Sequence, residues 1–145
     1  MSGKIRFCVA DAPDDLLKVF VVRGIVFCGE QQLPYPVDRD EHDFSAVHVL
    51  GQVGDEPVAA GRIRFVDGCA KLERLAVRKE YRGRGFGHLL AGFMIKTAGD
   101  RGFPTCKVHA RIHFKDFYAG HGFQAEGEVF QEIGIDHILM VRNGS

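Results

Sequence analysis

Three glycines alternate through Arg82-Gly83-Arg84-Gly85-Phe86-Gly87, directly ahead of the most regular helical stripe in the chain. Glycine adopts backbone conformations closed to other residues and lets the main chain approach a ligand closely. The first turn of a helix leaves its N–H groups without intrahelical acceptors and carries the positive end of the dipole. Glycines at such a point suit a phosphate or pyrophosphate, and Arg82 and Arg84 add cationic reach. Serving no ligand, three glycines in five residues would only weaken the helix start. Two other owners of glycine-rich loops fit poorly. The Walker A loop needs Gly-Lys followed by Ser or Thr, whereas Gly87 is followed by His88 and Leu89. The dinucleotide fingerprint needs Gly-x-Gly-x-x-Gly after the first strand of a βαβ unit, whereas the spacing is Gly83-x-Gly85-x-Gly87 with several strands ahead of it.

The elements that must position this loop follow from periodicity. Ile5, Phe7 and Val9 alternate as a first strand. After Asp11-Ala12-Pro13, with Asp11 or Asp14 as cap, the residues Leu16, Leu17, Phe20, Val21, Gly24 and Phe27 fall at helical spacing, and Gly29 is expected to end that helix. Residues 32–43, with Pro34 and Pro36, read as a loop or short irregular helix. Strands follow at Val47 to Val53, Val58 to Val66 and Ala70 to Val77, joined by Gly54-Asp55 and by Asp67-Gly68, a strong hairpin signal. The third of these changes parity. Ala70 and Leu72 are apolar at even positions, Leu75 and Val77 at odd ones, which requires an extra residue, a β-bulge near Glu73 to Leu75. Phe86, Leu89, Leu90, Phe93, Met94 and Thr97 then form a helical stripe closed by Arg101 and Gly102. A strand at Cys106 to Ala110, a short helix from His113 to His121 and strands at Phe123 to Phe130 and Ile135 to Val141 complete a mixed α/β (α+β) domain around one largely antiparallel sheet.

Composition bounds the rest. The 145 residues are expected to form a single domain, 46% hydrophobic and 26% charged. Nineteen Lys and Arg against nineteen Asp and Glu argue against a protein held on nucleic acid by a global positive field. The most apolar stretch, Leu16 to Cys28, is interrupted by Lys18 and Arg23 and is too short to span a bilayer. Met1-Ser2-Gly3-Lys4 lacks the apolar core of a signal peptide, so the expected location is the cytoplasm, with no membrane partner. Cys8, Cys28, Cys69 and Cys106 show neither zinc-knuckle nor disulfide-framework spacing and read as small core residues. His109 and His113 fall on different elements and make no metal pair, so no metal is expected.

With these motifs in place, the chain resembles the GCN5-related N-acetyltransferase (GNAT) family. Arg82-Gly83-Arg84-Gly85-Phe86-Gly87 is similar to the family's Arg-x-x-Gly-x-Gly pyrophosphate loop, preceded by a Leu-x-Val strand at Leu75-Ala76-Val77. Phe117-Tyr118-Ala119-Gly120-His121-Gly122-Phe123 is similar to its aromatic-Tyr-x3-Gly-Phe segment. The element order matches over nearly the whole chain. Val26 to Gln31, with Pro34 downstream, and Gly134-Ile135-Asp136-His137 resemble the ElaA-like bacterial branch. The resemblance implies the GNAT-like acyl-CoA N-acyltransferase fold, about six to seven mostly antiparallel strands flanked by about four helices. It also implies acetyl-CoA as cosubstrate, its pyrophosphate on the N–H groups of residues 82–87 and its pantetheine arm along Leu75, Ala76 and Val77. Phe117 would line the coenzyme, and Tyr118 would be the general acid for the departing thiolate, or a packed tyrosine that hydrogen-bonds the coenzyme. Where many family members carry an Asn seven residues before that tyrosine, this chain has Arg111, which could meet a phosphate or the pantetheine amides, or lie at the surface.

The acceptor would be a small-molecule or peptide amine. A lysine-type amine with pKa about 10.4 is neutral in only about one molecule in 2,500 at pH 7, so a base or desolvation must help. Glu73 is the candidate base, acting through a water, or else a strand-end carboxylate paired with Arg74 or Lys71. Glu30, Gln31, Asp38, Asp40, Glu41 and Asp43 form an acidic neighbourhood that could attract a cationic amine or simply be solvated. Among His48, His113 and His137 as proton carriers, His137 is singled out by the branch resemblance. The expected activity is direct transfer of acetyl to a primary amine, without a covalent enzyme intermediate. The alternative is a catalytically weak acyl-CoA-binding regulatory module. A homodimer through the final strands is compatible with either.

Overall fold

Alternating apolar and polar residues build seven strands, and the computed structural model, which describes residues 3–144, joins them in one sheet of order β1-β2-β3-β4-β5-β7-β6. The chain runs β1 (Ile5–Val9), α1 (Pro13–Arg23), a π-helical segment (Gly24–Glu30), α2 (Tyr35–Asp38), a 3-10 turn (Glu41–Phe44), β2 (Val47–Val53), β3 (Glu56–Val66) and β4 (Cys69–Val77). It continues through a 3-10 turn (Lys79–Tyr81), α3 (Phe86–Asp100), β5 (Cys106–Arg111), a 3-10 turn (Ile112–Phe114), α4 (Lys115–Ala119), β6 (Gln124–Glu132) and β7 (Ile135–Arg142). Neighbouring strands are antiparallel except β4 and β5. The chain thus forms the mixed, mostly antiparallel α+β architecture that its periodicity dictates. Met1 and Ser2, read above for a targeting segment, lie outside the described residues. No helix among the described residues is long and apolar enough to cross a membrane.

The two sheet faces carry separate cores. On one, Leu72, Ile63, Val108 and Met140 pack with Phe86, Leu90, Met94 and Ala98 of α3, and Tyr118 of α4 joins them. On the other, Leu50, Ala60 and Ala76 meet Val19, Val22, Val26 and Phe27 of α1 and its π-helical extension. The parity change in β4 is visible in these cores. Ala70 and Leu72 belong to the α3 face, and past the bulge Leu75 and Val77 do. Between the pairs Arg62↔Glu73 and Ala60↔Ala76, Gly61 faces both Arg74 and Leu75, with Arg74 at φ 55°. A Cβ at Gly61 would collide with the Met94 side chain, so glycine is what lets α3 close on the bulge.

The first helix departs from its sequence reading in three ways. Ala12 is the N-cap and Pro13 the first helical residue, where the missing N–H is not needed, so neither Asp11 nor Asp14 caps. The buried face is Val19, Val22, Arg23, Val26 and Phe27, while Leu17 is 66% and Val21 48% exposed. The stripe is rotated because the buried side includes a charged residue, Arg23, which an apolar pattern counts as surface. The expected stop at Gly29 is also passed, since the helix widens and Gln31 N donates to Val26 O, an i→i+5 bond of 3.0 Å.

In α3 the stripe is placed correctly except at Leu89, which is 53% exposed against 1% for Leu90. Leu90→Ala is therefore expected to cost about 3 kcal/mol in urea unfolding, and Leu89→Ala under about 1 kcal/mol. Equal losses would mean that α3 is rotated.

Candidate active site

β4 and β5 are paired only at Ala70↔Cys106 and Lys71↔Lys107, and beyond that they splay. The β4 residues Leu72 to Val77 stay laddered to β3 on one side but have no strand on the other. The bulge sits in this stretch and turns the main chain through a left-handed residue. An extended, amide-bearing ligand can complete such an edge as an additional strand would.

The glycine loop closes one end of the splay. Gly85, at φ 79° and ψ 8°, is the N-cap of α3 and offers no side-chain cap to the first-turn N–H groups. Gly83 has φ 80°, and a Cβ at either glycine would meet nothing within 4 Å. These glycines are demanded by backbone conformation, and the space they face is open. The uncapped N–H groups and the helix dipole fit the pyrophosphate of a coenzyme A.

The two loop arginines are less free than their sequence suggests. Arg82 Nε donates to Val77 O at 2.9 Å, and its Nη atoms grip both carboxylate oxygens of Glu30 at 2.6 and 2.7 Å. That hydrogen bond holds the Glu30 carboxyl below its usual range. Arg84 lies over the Tyr81 ring, 5.4 Å from its centroid. Next to Glu30, Gln31 accepts from Arg111 Nη2 at 2.9 Å. Consecutive residues at the end of the π-helical segment thus reach both lips of the splay, the β4 end through Arg82 and the β5 end through Arg111. Glu30 and Gln31, expected to face the acceptor, serve here as a strap across the cleft, and the Arg111 side chain points to that strap.

Glu73 sits on the α1 face, within a cluster of charges. Its Oε1 accepts from Arg62 Nη2 at 2.6 Å and Arg64 Nε at 2.8 Å, and Lys71 Nζ lies 3.1 Å from Oε2. Arg62, 1% exposed, also donates to Asp40 at 2.7 Å and Asp43 at 2.9 Å. Arg23 donates to Asp43 at 2.6 Å and Asp38 at 3.3 Å, and Arg74 donates to the Asp38 carbonyl at 2.9 Å. Burial works to raise the Glu73 carboxyl, but hydrogen bonds from Arg64 and Arg62 overcome it and hold it at about 2. Asp43 is likewise held at about 2, burial being outweighed by Arg23 and Arg62.

Two expectations are corrected by this cluster. An acceptor of pKa about 2 leaves the proton of a primary amine, at about 10.4, far uphill, so Glu73 is a poor fit for the base. Asp38, Asp40 and Asp43 are not an open acidic surface either, because they are turned inward onto arginines. Three arginines at positions 23, 62 and 74 against the acids of residues 38–43 were the available signal, but pairing across 15 to 36 positions has no local pattern.

Tyr118 is half-buried on the opposite face, edge-on to Phe117 at 5.1 Å and to Phe123 at 5.6 Å. Burial pushes its phenol up to about 12, so it stays protonated through the neutral range. His137 is not open to an acceptor. It is buried, its Nδ1 lies 2.8 Å from Ile135 O, and its ring stacks on Phe130. His48 is also buried, with Nε2 donating to Asp43 O at 2.9 Å, and burial lowers its pKa. His113 does line an open concavity of about 420 Å³ with Arg111, Ile112, Phe114, Ile135 and Asp136, beyond the end of β5. Of the cysteines only Cys106 is fully buried; all four are free thiols.

A sheet splayed beside a bulged strand, with an uncapped glycine-started helix at its edge, is the arrangement that the resemblance implies for an acyl-CoA N-acyltransferase. The family model of the acetyltransferase (GNAT) domain matches residues 31–143, and the chain belongs to that family. YjcF of Bacillus subtilis, described as an uncharacterized N-acetyltransferase, is 34% identical over 140 residues, 96% of this chain and 100% of the relative. Among solved structures, ElaA of Escherichia coli superposes with a TM-score of 0.83 at 28% identity, covering 98% of this chain and 100% of its own. An acyl-CoA N-acyltransferase from Pseudomonas aeruginosa gives 0.84 at 27% identity, with the same coverage.

The carboxylate cluster generates a pH prediction. Asp43 and Glu73 ordinarily titrate at 3.8 and 4.5 and are held at about 2 in the folded chain. Their stabilisation is complete above about pH 5 and disappears as the pH falls from about 4.5 to 2, about 2 to 3 kcal/mol apiece. Urea unfolding at pH 6 and pH 3 should show about half of this loss, the rest appearing below pH 3. Arg62→Met, which takes one arginine from each of three buried or half-buried carboxylates, should destabilise by about 3 kcal/mol at pH 7.

Proposed function

We propose that this chain moves an acetyl group from acetyl-CoA to a primary amine by direct attack, with both substrates bound together. The observation that carries this reading is the unpaired β4 edge ending in an open, glycine-capped helix N-terminus, with a protonated tyrosine on the neighbouring element. The N–H groups of residues 82–87 bind the pyrophosphate, and the edge of Leu75, Ala76 and Val77 pairs with the pantetheine amides. Arg82 works from its backbone while its side chain fixes the strap. The coenzyme supplies an activated acyl group on a thiol leaving group.

A neutral amine loses one proton as the amide forms, and the departing thiolate takes one up. The transfer step is therefore proton-neutral. A base is needed only to strip the incoming ammonium, which solvent does increasingly well as pH rises. Tyr118, protonated at neutral pH, donates its hydrogen bond where negative charge grows on sulfur. Glu73 acts by position: it anchors Arg62 and Arg64 at the bulge. The concavity beyond β5 is the approach we assign to the acceptor, with Arg111 at its inner lip.

Calorimetric titration with acetyl-CoA is expected to show micromolar binding that Gly85→Asp loses, because the variant places an anion at the phosphate site. Absence of binding by the folded wild type would sink the acetyltransferase reading. Tyr118→Phe should lower kcat about a hundredfold with little change in coenzyme affinity. The log of kcat/KM should rise about one unit per pH unit between pH 6 and 9 in wild type and Glu73→Gln alike. Loss of that limb in Glu73→Gln would return the base role to Glu73. The saturated state of Glu73 also favours a second reading, a coenzyme-binding regulatory module, and tight binding with no turnover on any amine would establish it.

A further inference from the structure

His88 and His121 come from elements far apart in the sequence, the first turn of α3 and the turn after α4, yet their side chains meet. Nδ1 of His88 lies 3.0 Å from Nε2 of His121. His88 is exposed and His121 half-buried, so the pair opens to solvent. Two imidazoles in this contact share one proton between the facing nitrogens. Both rings are held in place by their surroundings. His88 stacks on Phe117 with centroids 4.6 Å apart and planes at 29°, and His121 leans on the same ring at 5.3 Å. Arg142 Nε donates to the His121 carbonyl at 3.0 Å, fixing the backbone from β7. Two nitrogens bound about 2.0 Å from one tetrahedral ion are about 3.3 Å apart. The facing nitrogens need to separate by a few tenths of an ångström, and each ring to swing by about 35°, for both lone pairs to converge on a metal in place of the shared proton.

We propose that His88 and His121 form a binding site for a borderline divalent transition metal ion of the Zn²⁺, Ni²⁺ and Cu²⁺ class, bridging α3 to α4. Imidazole nitrogen is a preferred donor for these ions, and orientation by outer contacts is what distinguishes a site from two adjacent surface histidines. No group of three or more His, Cys, Asp or Glu gathers around an ion among the described residues, so water completes the coordination shell. A neutral pair needs no net loss of protons to bind the ion. Moving the shared proton to an outer nitrogen, so that His88 carries its proton on Nε2 and His121 on Nδ1, frees the two facing nitrogens for the ion. The bound ion ties the Phe117-Tyr118 helix to the start of α3, bracing the wall of the splay. It requires neither coenzyme nor turnover.

The test uses the whole purified chain without an affinity tag. Ni²⁺ calorimetry on the wild type is expected to show one equivalent bound and a rise in thermal midpoint with Ni²⁺ concentration. His88→Gln and His121→Gln, checked for native circular dichroism, should each weaken binding at least about tenfold and abolish that rise. With Cu²⁺, the electron paramagnetic resonance spectrum should report two equivalent-type imidazole nitrogens in wild type and one in either variant. Binding that survives both substitutions, as it would on the free cysteines, overturns the proposal. So does the absence of saturable binding by the folded wild type.

Discussion

Backbone donors and acceptors must find partners, and β4 and β5 part company after two residue pairs. The rest of the molecule is organised around that interruption. The bulge at Arg74 and Leu75 turns β4 at this point, Gly61 lets α3 close on it, and the strap of Glu30 and Gln31 spans the open end. A parallel pair that continued its ladder would leave no edge for the amides of an extended coenzyme and no gap between the faces. The chain belongs to the GNAT family, and this open edge is where the proposed function places the coenzyme.

The two faces of the sheet divide the work by polarity. The α3 face is apolar and carries the glycine loop and Tyr118, whose raised pKa is the consequence of that setting. The α1 face carries a buried network in which Arg62 holds Asp40, Asp43 and Glu73 at once. Such a network is costly to desolvate and intolerant of losing one member. It fastens residues 38–43 to the bulge, so the segment opposite the splay is held by charge rather than by apolar packing. Glu73 and Tyr118 consequently lie on opposite faces and do not form a contacting acid–base pair.

Much of this was legible in the sequence because it is local. The switch of parity between Leu72 and Leu75 has a single geometric meaning, since side chains alternate strictly along a strand. Asp67-Gly68 and the stripe from Phe86 to Thr97 are likewise signals spanning a few residues, and Gly83 and Gly85 occupy the left-handed conformations that their type allows. The glycine loop and the Tyr118 segment were therefore readable as motifs. The rotation of α1 was not, because Arg23 faces inward to Asp43 and Asp38, and hydrophobic periodicity counts a buried arginine as surface.

What the sequence determined by itself is the order of the strands and main helices, the bulge and the glycine-started N-terminus of α3, all of which depend on neighbours within one or two turns. The tertiary structure decided where the charges went. It turned Asp38, Asp40 and Asp43 inward, neutralised Arg82 with Glu30, buried His137, and set His88 against His121. Side chains 15 to 80 positions apart meet only once the sheet order is established, and Coulombic and hydrogen-bond partners carry no spacing rule that could announce them earlier.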